Sequence, residues 1–261
     1  MTGGNPPSPS MDRQDAVPAS TSTRWLVTIC TYNERENLPR LVPEIFRHTS
    51  DVDILVVDDN SPDGTGALAD DLAAADPRVK VLHRPGKQGL GTAILAGLQY
   101  GIDHGYDYVI NLDADFSHDP KYLPALRDCM NVADVGIGSR YVAGGGVVGW
   151  SRWRKFMSGG INWYARKLLG LRVRDASGAF RCYRLSKIRE LDFRKFRGRG
   201  YSFQEEVLFR CARVWCSFAE TPIIFEDRRA GTSKINWKES VGALWIIFRL
   251  WIDRFFGVSV R

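Results

Sequence analysis

Four short apolar runs, spaced so that helices fit between them, constrain this chain more than any other feature. They cover residues 25–30 (Trp-Leu-Val-Thr-Ile-Cys), 53–58, 79–82 and 108–112. A helix is expected after Thr31-Tyr-Asn-Glu34, with Asn33 as a candidate cap and Leu38, Leu41, Val42 and Ile45 on its apolar face. Residues 65–75 and 89–100 read as two more helices. Strands alternating with helices at this spacing imply βαβ units, and so an α/β fold with a mostly parallel central sheet flanked by helices. Such sheets bind ligands beyond the carboxyl ends of their strands. The polar residues of interest fall there.

The second half is less regular. Strands are expected over 132–139, 178–183 and 218–227, and helices over 158–169 and 204–213. Residues 1–23 are rich in Pro, Ser, Thr and Gly and read as a disordered tail. That leaves 24–236 as the folded domain and 237–261 as a C-terminal amphipathic segment. In this segment Leu244, Phe248, Trp251 and Phe255 follow helical spacing, and Arg249 and Asp253 form an i, i+4 pair. It is too short and too charged to span a bilayer, so it reads as a helix lying in the membrane interface, or packed on the domain or a second subunit.

Charge and cysteine usage narrow the class. A formal charge of +6 is modest; it suits phosphates or an anionic membrane as well as a solvated basic surface. No basic stripe is interleaved with exposed aromatics, which argues against a nucleic-acid partner. Five cysteines without a C-x-x-C pair give neither a zinc spacing nor a disulfide framework. With no apolar secretory segment at the start, a cytosolic setting is expected.

Four constellations carry chemistry. In Asp113-Ala-Asp-Phe-Ser-His-Asp-Pro120, two carboxylates leave a buried strand two residues apart. Carboxylates so placed are costly unless compensated, and a hard divalent cation completed by a nucleoside diphosphate compensates them. Aspartates at strand ends also cap turns; the context here favours metal. In Val57-Asp-Asp-Asn-Ser-Pro-Asp-Gly-Thr65, Asp58 or Asp59 is positioned to accept hydrogen bonds from a nucleotide, while Asn60, Pro62 and Gly64 belong to the turn. At the end of the first strand, Tyr32 is placed to flank a base and Glu34 to accept from it. The stretch 84–93 is neither a Walker A loop nor G-x-G-x-x-G, but its glycine-rich helix start offers backbone N–H groups to an anion.

Taken in order, Thr31-Tyr-Asn-Glu34, Val57 to Thr65, Lys87-Gln-Gly-Leu-Gly91, Asp113 to Pro120 and Gly138-Ser-Arg140 resemble the dolichyl-phosphate (polyprenyl-phosphate) mannosyltransferase branch of glycosyltransferase family 2. The resemblance spans residues 25–236. It implies a GT-A fold and an inverting transfer of mannose from GDP-mannose to a polyprenyl phosphate at a cytosolic membrane surface. It also implies Mg²⁺ or Mn²⁺ held by Asp113 and Asp115. Thr31, Tyr32, Glu34, Asp58, Asp59 and Lys87 would line the nucleotide-sugar site, with Arg229 and Lys234 closing over the donor. Arg140, Arg154 and Ser158 would grip the lipid phosphate, and Asp175-x-Ser177-Gly178 belongs to the same region. Ser117 stands where some members carry a glutamine metal ligand; serine is shorter, and water is the natural substitute. Members often continue into transmembrane helices, so membrane access here is assigned to the C-terminal helix, to basic residues or to a membrane-protein partner. The competing readings are a UDP-glucose enzyme on the same fold, another family 2 enzyme of glycan synthesis, and a nucleotide-sugar-binding scaffold without turnover.

Overall fold

The computed structural model describes residues 22–198, 200, 202–227 and 237–255. Its centre is a seven-stranded sheet of order β3-β2-β1-β4-β7-β5-β8. The strands are β1 (Trp25–Thr31), β2 (Val52–Asp58), β3 (Val79–His83), β4 (Tyr108–Asp113), β5 (Val135–Ser139), β7 (Arg181–Arg184) and β8 (Phe218–Pro222). Only β7 runs against the others; its pairings with β4 and β5 are antiparallel, and the rest are parallel. The four apolar runs are β1 to β4, uninterrupted in hydrophobicity because both faces of a parallel sheet are covered. Side-chain alternation divides them. Trp25, Val27 and Ile29 of β1 join one core and Leu26 joins the other.

Helices α1 (Leu38–His48), α2 (Thr65–Ala75) and α3 (Leu90–Asp103) link these strands, and the short α4 (Leu123–Asp128) follows β4. α5 (Arg152–Leu169), the short α6 (Leu185–Ile188), α7 (Phe203–Arg213) and α8 (Trp237–Phe255) complete the layers. A small sheet of β6 (Gly146–Val148) and β9 (Ile224–Glu226) sits beside the main one.

Several boundaries differ from the sequence expectation. Asn33 is not a helix cap: it adopts φ 65° and its backbone N–H donates to the Ser61 hydroxyl at 3.1 Å, and α1 begins only at Leu38. α5 starts six residues earlier than its apolar spacing suggested, at a cap where the Ser151 hydroxyl accepts the Arg154 N–H at 3.2 Å. The expected strand 218–227 is two strands, divided at the buried Ile223. In α8 the fully buried seam is Ile247 and Leu250, against α5 and α7, while Phe255 is exposed. Asp253 pairs with Arg197 at 2.9 Å rather than with Arg249, because the chain before α7 brings that guanidinium closer.

The glycine-rich start of α3 has two structural reasons. Gly89 takes φ 98°, which disfavours any side chain, and Gly91 lies where α3 meets α7. A Cβ on Gly91 would stand 2.7 Å from the Gly198 carbonyl oxygen and 2.7 Å from Phe203. Alanine's better helix propensity is worth about 1 kcal/mol, whereas forcing apart backbone and a buried ring costs about 1–3 kcal/mol. G91A is therefore expected to lower the thermal midpoint; a midpoint at or above the parent's would show that α7 can shift away freely.

Candidate active site

The sheet register brings the acidic residues to one edge. Thr31 lies opposite Asp58, and Cys30 opposite Asp113, at the carboxyl ends of β1, β2 and β4. The strand order reverses between β1 and β4, the place where open α/β sheets hold ligands. Asp113 keeps 29% of its side chain exposed. The Asp115 carboxylate accepts the Ser117 backbone N–H at 3.1 Å and the Ser117 hydroxyl at 2.5 Å. Ser117 is itself buried, so its proton is committed to orienting Asp115. Between them Phe116 is held at φ 60°, an unusual conformation for a bulky residue at the tip of the loop.

His118 closes the underside. Burial pushes its imidazole down to about 4, against the pull of Asp115, so the ring is neutral at physiological pH. Its Nδ1 stands 3.5 Å from Asp113, inside ion-pair range but too far for a hydrogen bond, and has no hydrogen-bond partner. The ring stacks on Phe180 at 5.2 Å and meets Phe225 edge-on at 5.4 Å. With His118 neutral, the local charge is that of the carboxylates. Among the described residues no three His, Cys, Asp or Glu side chains form a closed metal cage. An oxygen-only pair of this kind fits a hard divalent ion that draws its other ligands from a diphosphate and water.

At the β1–β2 end, Asp58 is held by its own turn. It accepts the Thr31 hydroxyl at 2.9 Å, the Ser61 hydroxyl at 2.6 Å and the Ser61 N–H at 3.0 Å. Asp59 makes a buried ion pair with Arg84 at 2.6 Å, and Arg84 also donates to Thr92 at 2.6 Å. Burial pushes the Asp59 carboxyl up against the opposing pull of Arg84. Lys87 sits over the Tyr32 ring at 4.1 Å, and Glu34 accepts from the Asn37 side chain at 2.8 Å. Thr31, Tyr32, Glu34, Asp58, Asp59 and Lys87 thus lie around one strand edge, with Thr31 and Asp58 serving each other.

Across the edge lies an arginine shelf. Arg140 follows β5 and grips Asp175 with two side-chain bonds of 2.8 Å; its Nη2 also donates to Ser177 at 2.8 Å. Burial alone would raise the Asp175 carboxyl, but Arg140 reverses this and holds it below the ordinary carboxylate range. Arg154 pairs with Asp227 at 2.7 Å and stacks over Trp150 at 4.3 Å. Ser158, one turn further along α5, shares a 2.8 Å hydrogen bond with the Tyr141 hydroxyl. An aromatic bridge joins the two halves: Phe225 touches His118 on one side and Trp150 at 5.5 Å on the other. The Trp150 indole N–H and Arg154 Nε are buried without partners at this junction. Arg229 and Lys234 lie outside the described residues.

Sequence reasoning passed over the support beneath Arg140. Arg181, fully buried, donates to the carbonyls of Gln204 and Ala176, each at 2.7 Å. Beside it Glu205 is buried with one carboxylate oxygen unpartnered, and burial raises its pKa to about 7 despite Arg181 and Arg140. The available signal was three consecutive polar or acidic positions, 204–206, on a helix whose every residue through Cys211 is buried. The folded-state pKa exceeds the unfolded value, so this group's contribution is present below pH 4.5 and is lost as pH rises toward 7. E205Q, which mimics the protonated acid, should gain on the parent by on the order of 3 kcal/mol between about pH 5 and about pH 8. Urea unfolding at both pH values reads this; a constant difference would contradict it.

The outer face of α5 is the other unanticipated feature. Trp153, Phe156 and Trp163 are 69%, 70% and 60% exposed, with Arg152, Lys155 and Lys167 exposed around them. Their spacing places them opposite the buried Asn162, Ala165 and Leu169. No helix among the described residues is long and apolar enough to cross a membrane.

The chain belongs to glycosyl transferase family 2, whose signature matches residues 26–192, and is therefore a glycosyltransferase. Within it the chain groups with the polyprenyl-phosphate mannosyltransferases. It is 45% identical over 225 residues to a polyprenol monophosphomannose synthase of Mycolicibacterium smegmatis, covering 85% of each chain. It is 44% identical to an undecaprenyl-phosphate mannosyltransferase of Micrococcus luteus, covering 82% of this chain and 88% of that one. Among solved structures, the glucosyl-3-phosphoglycerate synthase of Mycobacterium tuberculosis, in complex with Mn²⁺, UDP and product, shares the GT-A fold. The TM-score is 0.63 at 16% identity, covering 89% of this chain and 80% of that one.

Proposed function

We propose that the protein transfers mannose from GDP-mannose to a polyprenyl phosphate, with inversion and with Mg²⁺ or Mn²⁺, while seated on the cytosolic face of a membrane. The observation that carries this reading is the facing of Asp113, at the end of β4, and Asp115, in the loop after it, by the shelf of Arg140, Arg154 and Ser158 across one aromatic bridge. The substrate names of the two curated relatives support the lipid acceptor and the mannosyl group.

On this reading Asp113 and Asp115 hold the divalent ion, with Ser117 fixing the Asp115 rotamer. The ion would offset negative charge on the departing diphosphate. Tyr32, Glu34, Asp59 and Lys87 surround the nucleoside, and Thr31 stiffens the turn through Asp58. Arg154 and Ser158 orient the acceptor phosphate, and Arg140 holds the wall behind it. An acceptor oxygen bonds to the anomeric carbon as that carbon's bond to the diphosphate breaks, and GDP leaves. A phosphate nucleophile is already anionic at neutral pH and needs no strong general base. His118, buried between Phe180 and Phe225 and only weakly basic, shields the underside of Asp113 from water. Arg229 and Lys234 are assigned to closing over the donor. The exposed aromatic face of α5 is where the membrane surface is met, while Arg154 and Ser158 lie on the inward side of the same helix; α8 buttresses it from behind.

Donor choice separates this reading from a UDP-glucose enzyme. Purified protein should bind GDP more tightly than UDP by calorimetry and transfer from GDP-mannose alone among common nucleotide sugars; preferential use of UDP-glucose would replace the donor assignment and leave the reaction class.

A further inference from the structure

Beside the arginine shelf, a cleft of about 330 Å³ is bounded by Tyr141, Gly159, Asn162, Trp163, Arg166 and Arg174. Its polar walls are unequally committed. Asn162 is used up by the Arg174 carbonyl at 2.5 Å and the Ala176 N–H at 2.8 Å. The Tyr141 hydroxyl is shared with Ser158. Glu220, which does not line the cleft, is occupied by the backbone N–H groups of Arg174 and Asp175 at 2.6 and 2.9 Å. The two guanidinium groups are different. Arg166 Nε is buried with no hydrogen-bond partner, and among the described residues neither Arg166 nor Arg174 forms an ion pair through its side chain. Arg140 and Arg154, by contrast, are neutralised by Asp175 and Asp227.

From this we infer that the Arg166–Arg174 cleft is a binding site for the phosphate group of a membrane lipid. Two forked, permanently charged donors lining one cavity, with no side-chain ion pair among the described residues, are suited to a phosphate. The surroundings choose the kind of molecule. Trp163 forms part of the cleft wall and belongs to the exposed Trp153, Phe156 and Trp163 face. An anionic head held at the cleft therefore has its apolar chain laid along aromatic surface, where amphipathic side chains sit well at a bilayer boundary. A soluble phosphate ester makes no use of that face. The inference deepens the proposed function and rests on its membrane-facing orientation of α5. It adds a recognition site that Arg140, Arg154 and Ser158 do not include.

The test is vesicle co-sedimentation of the full chain and its R166Q/R174Q variant. Three vesicles are used: neutral phosphatidylcholine, the same with a short polyprenyl phosphate, and the same with phosphatidylglycerol. K155Q/K167Q serves as a control that removes equal charge from the same face but outside the cleft. The expected result is a loss of about tenfold or more in affinity for one or both anionic vesicles in the arginine variant, with neutral-vesicle and GDP binding unchanged and R166K/R174K intermediate. Loss confined to polyprenyl phosphate identifies the acceptor as occupant; loss confined to phosphatidylglycerol identifies a bilayer headgroup. An unchanged affinity for both overturns the inference, as does an equal loss in K155Q/K167Q. Wild-type protein that ignores polyprenyl phosphate but holds phosphatidylglycerol through these arginines would count against the proposed acceptor and leave the cleft standing.

Discussion

Replacing Asp113 by alanine is expected to lower sugar transfer by on the order of 10³-fold while leaving the fold intact. Asp113 closes β4 at the strand reversal and keeps 29% of its side chain exposed, so no core contact is lost with it. The stability change should stay within about 1 kcal/mol, as for a partly exposed polar residue outside the core. What is lost is half of the carboxylate pair, and the remaining Asp115 is oriented by a serine already committed to it. S117A, which leaves both carboxylates in place, should be much milder, and its defect should shrink as divalent metal is raised. Initial rates across a metal titration, with thermal midpoints alongside, measure both. Near-normal turnover in folded D113A would remove the carboxylate pair from the mechanism.

The largest stability effect is expected at Asp175. The Arg140–Asp175 pair is almost wholly buried, with side chains 8% and 0% exposed. Breaking such a pair costs about 3–5 kcal/mol, because a charge is left without compensation. The two halves are not equivalent. Asp175 also accepts the backbone N–H groups of Arg140 at 3.0 Å, Ser177 at 3.3 Å and Gly178 at 2.9 Å, so D175A strands a guanidinium and three amides together. In R140A the carboxylate keeps the backbone donors of residues 140, 177 and 178. Denaturant unfolding should therefore rank D175A below R140A, and R140A well below the parent. The carboxyl is held below its ordinary value, so this contribution is present at neutral pH and is lost as pH falls through the folded-state pKa on the acid side. Equal or small losses would mean that water replaces the pair.

The first half of the fold was legible because burial on both faces of a parallel sheet leaves a simple mark: continuous apolar runs, punctuated at the ligand edge by acids. Asp113, Asp115, Asp58 and Asp59 stand out for that reason. Asp58 also shows the limit of such reading, since a carboxylate that serves its own turn and one that faces a ligand carry the same letter. The second half was obscure for a related reason. The apolar spacing of α5 is real, but Trp153, Phe156 and Trp163 occupy its solvent face, so periodicity alone misplaced its start. In α8 the seam is Ile247 and Leu250, and the larger aromatics drew attention away from it. The buried group of Arg140, Asp175, Arg181 and Glu205 comes from four separate segments, and only the folded chain brings it together.

The most direct measurement is transfer of labelled mannose from GDP-mannose to a short polyprenyl phosphate by the purified chain, with Mg²⁺ or Mn²⁺ and with a chelator. Label should move into the lipid fraction only when metal is present, with one GDP released for each mannosyl group transferred. Equal transfer in the chelated sample, or GDP release with no labelled lipid from folded protein, would contradict the account.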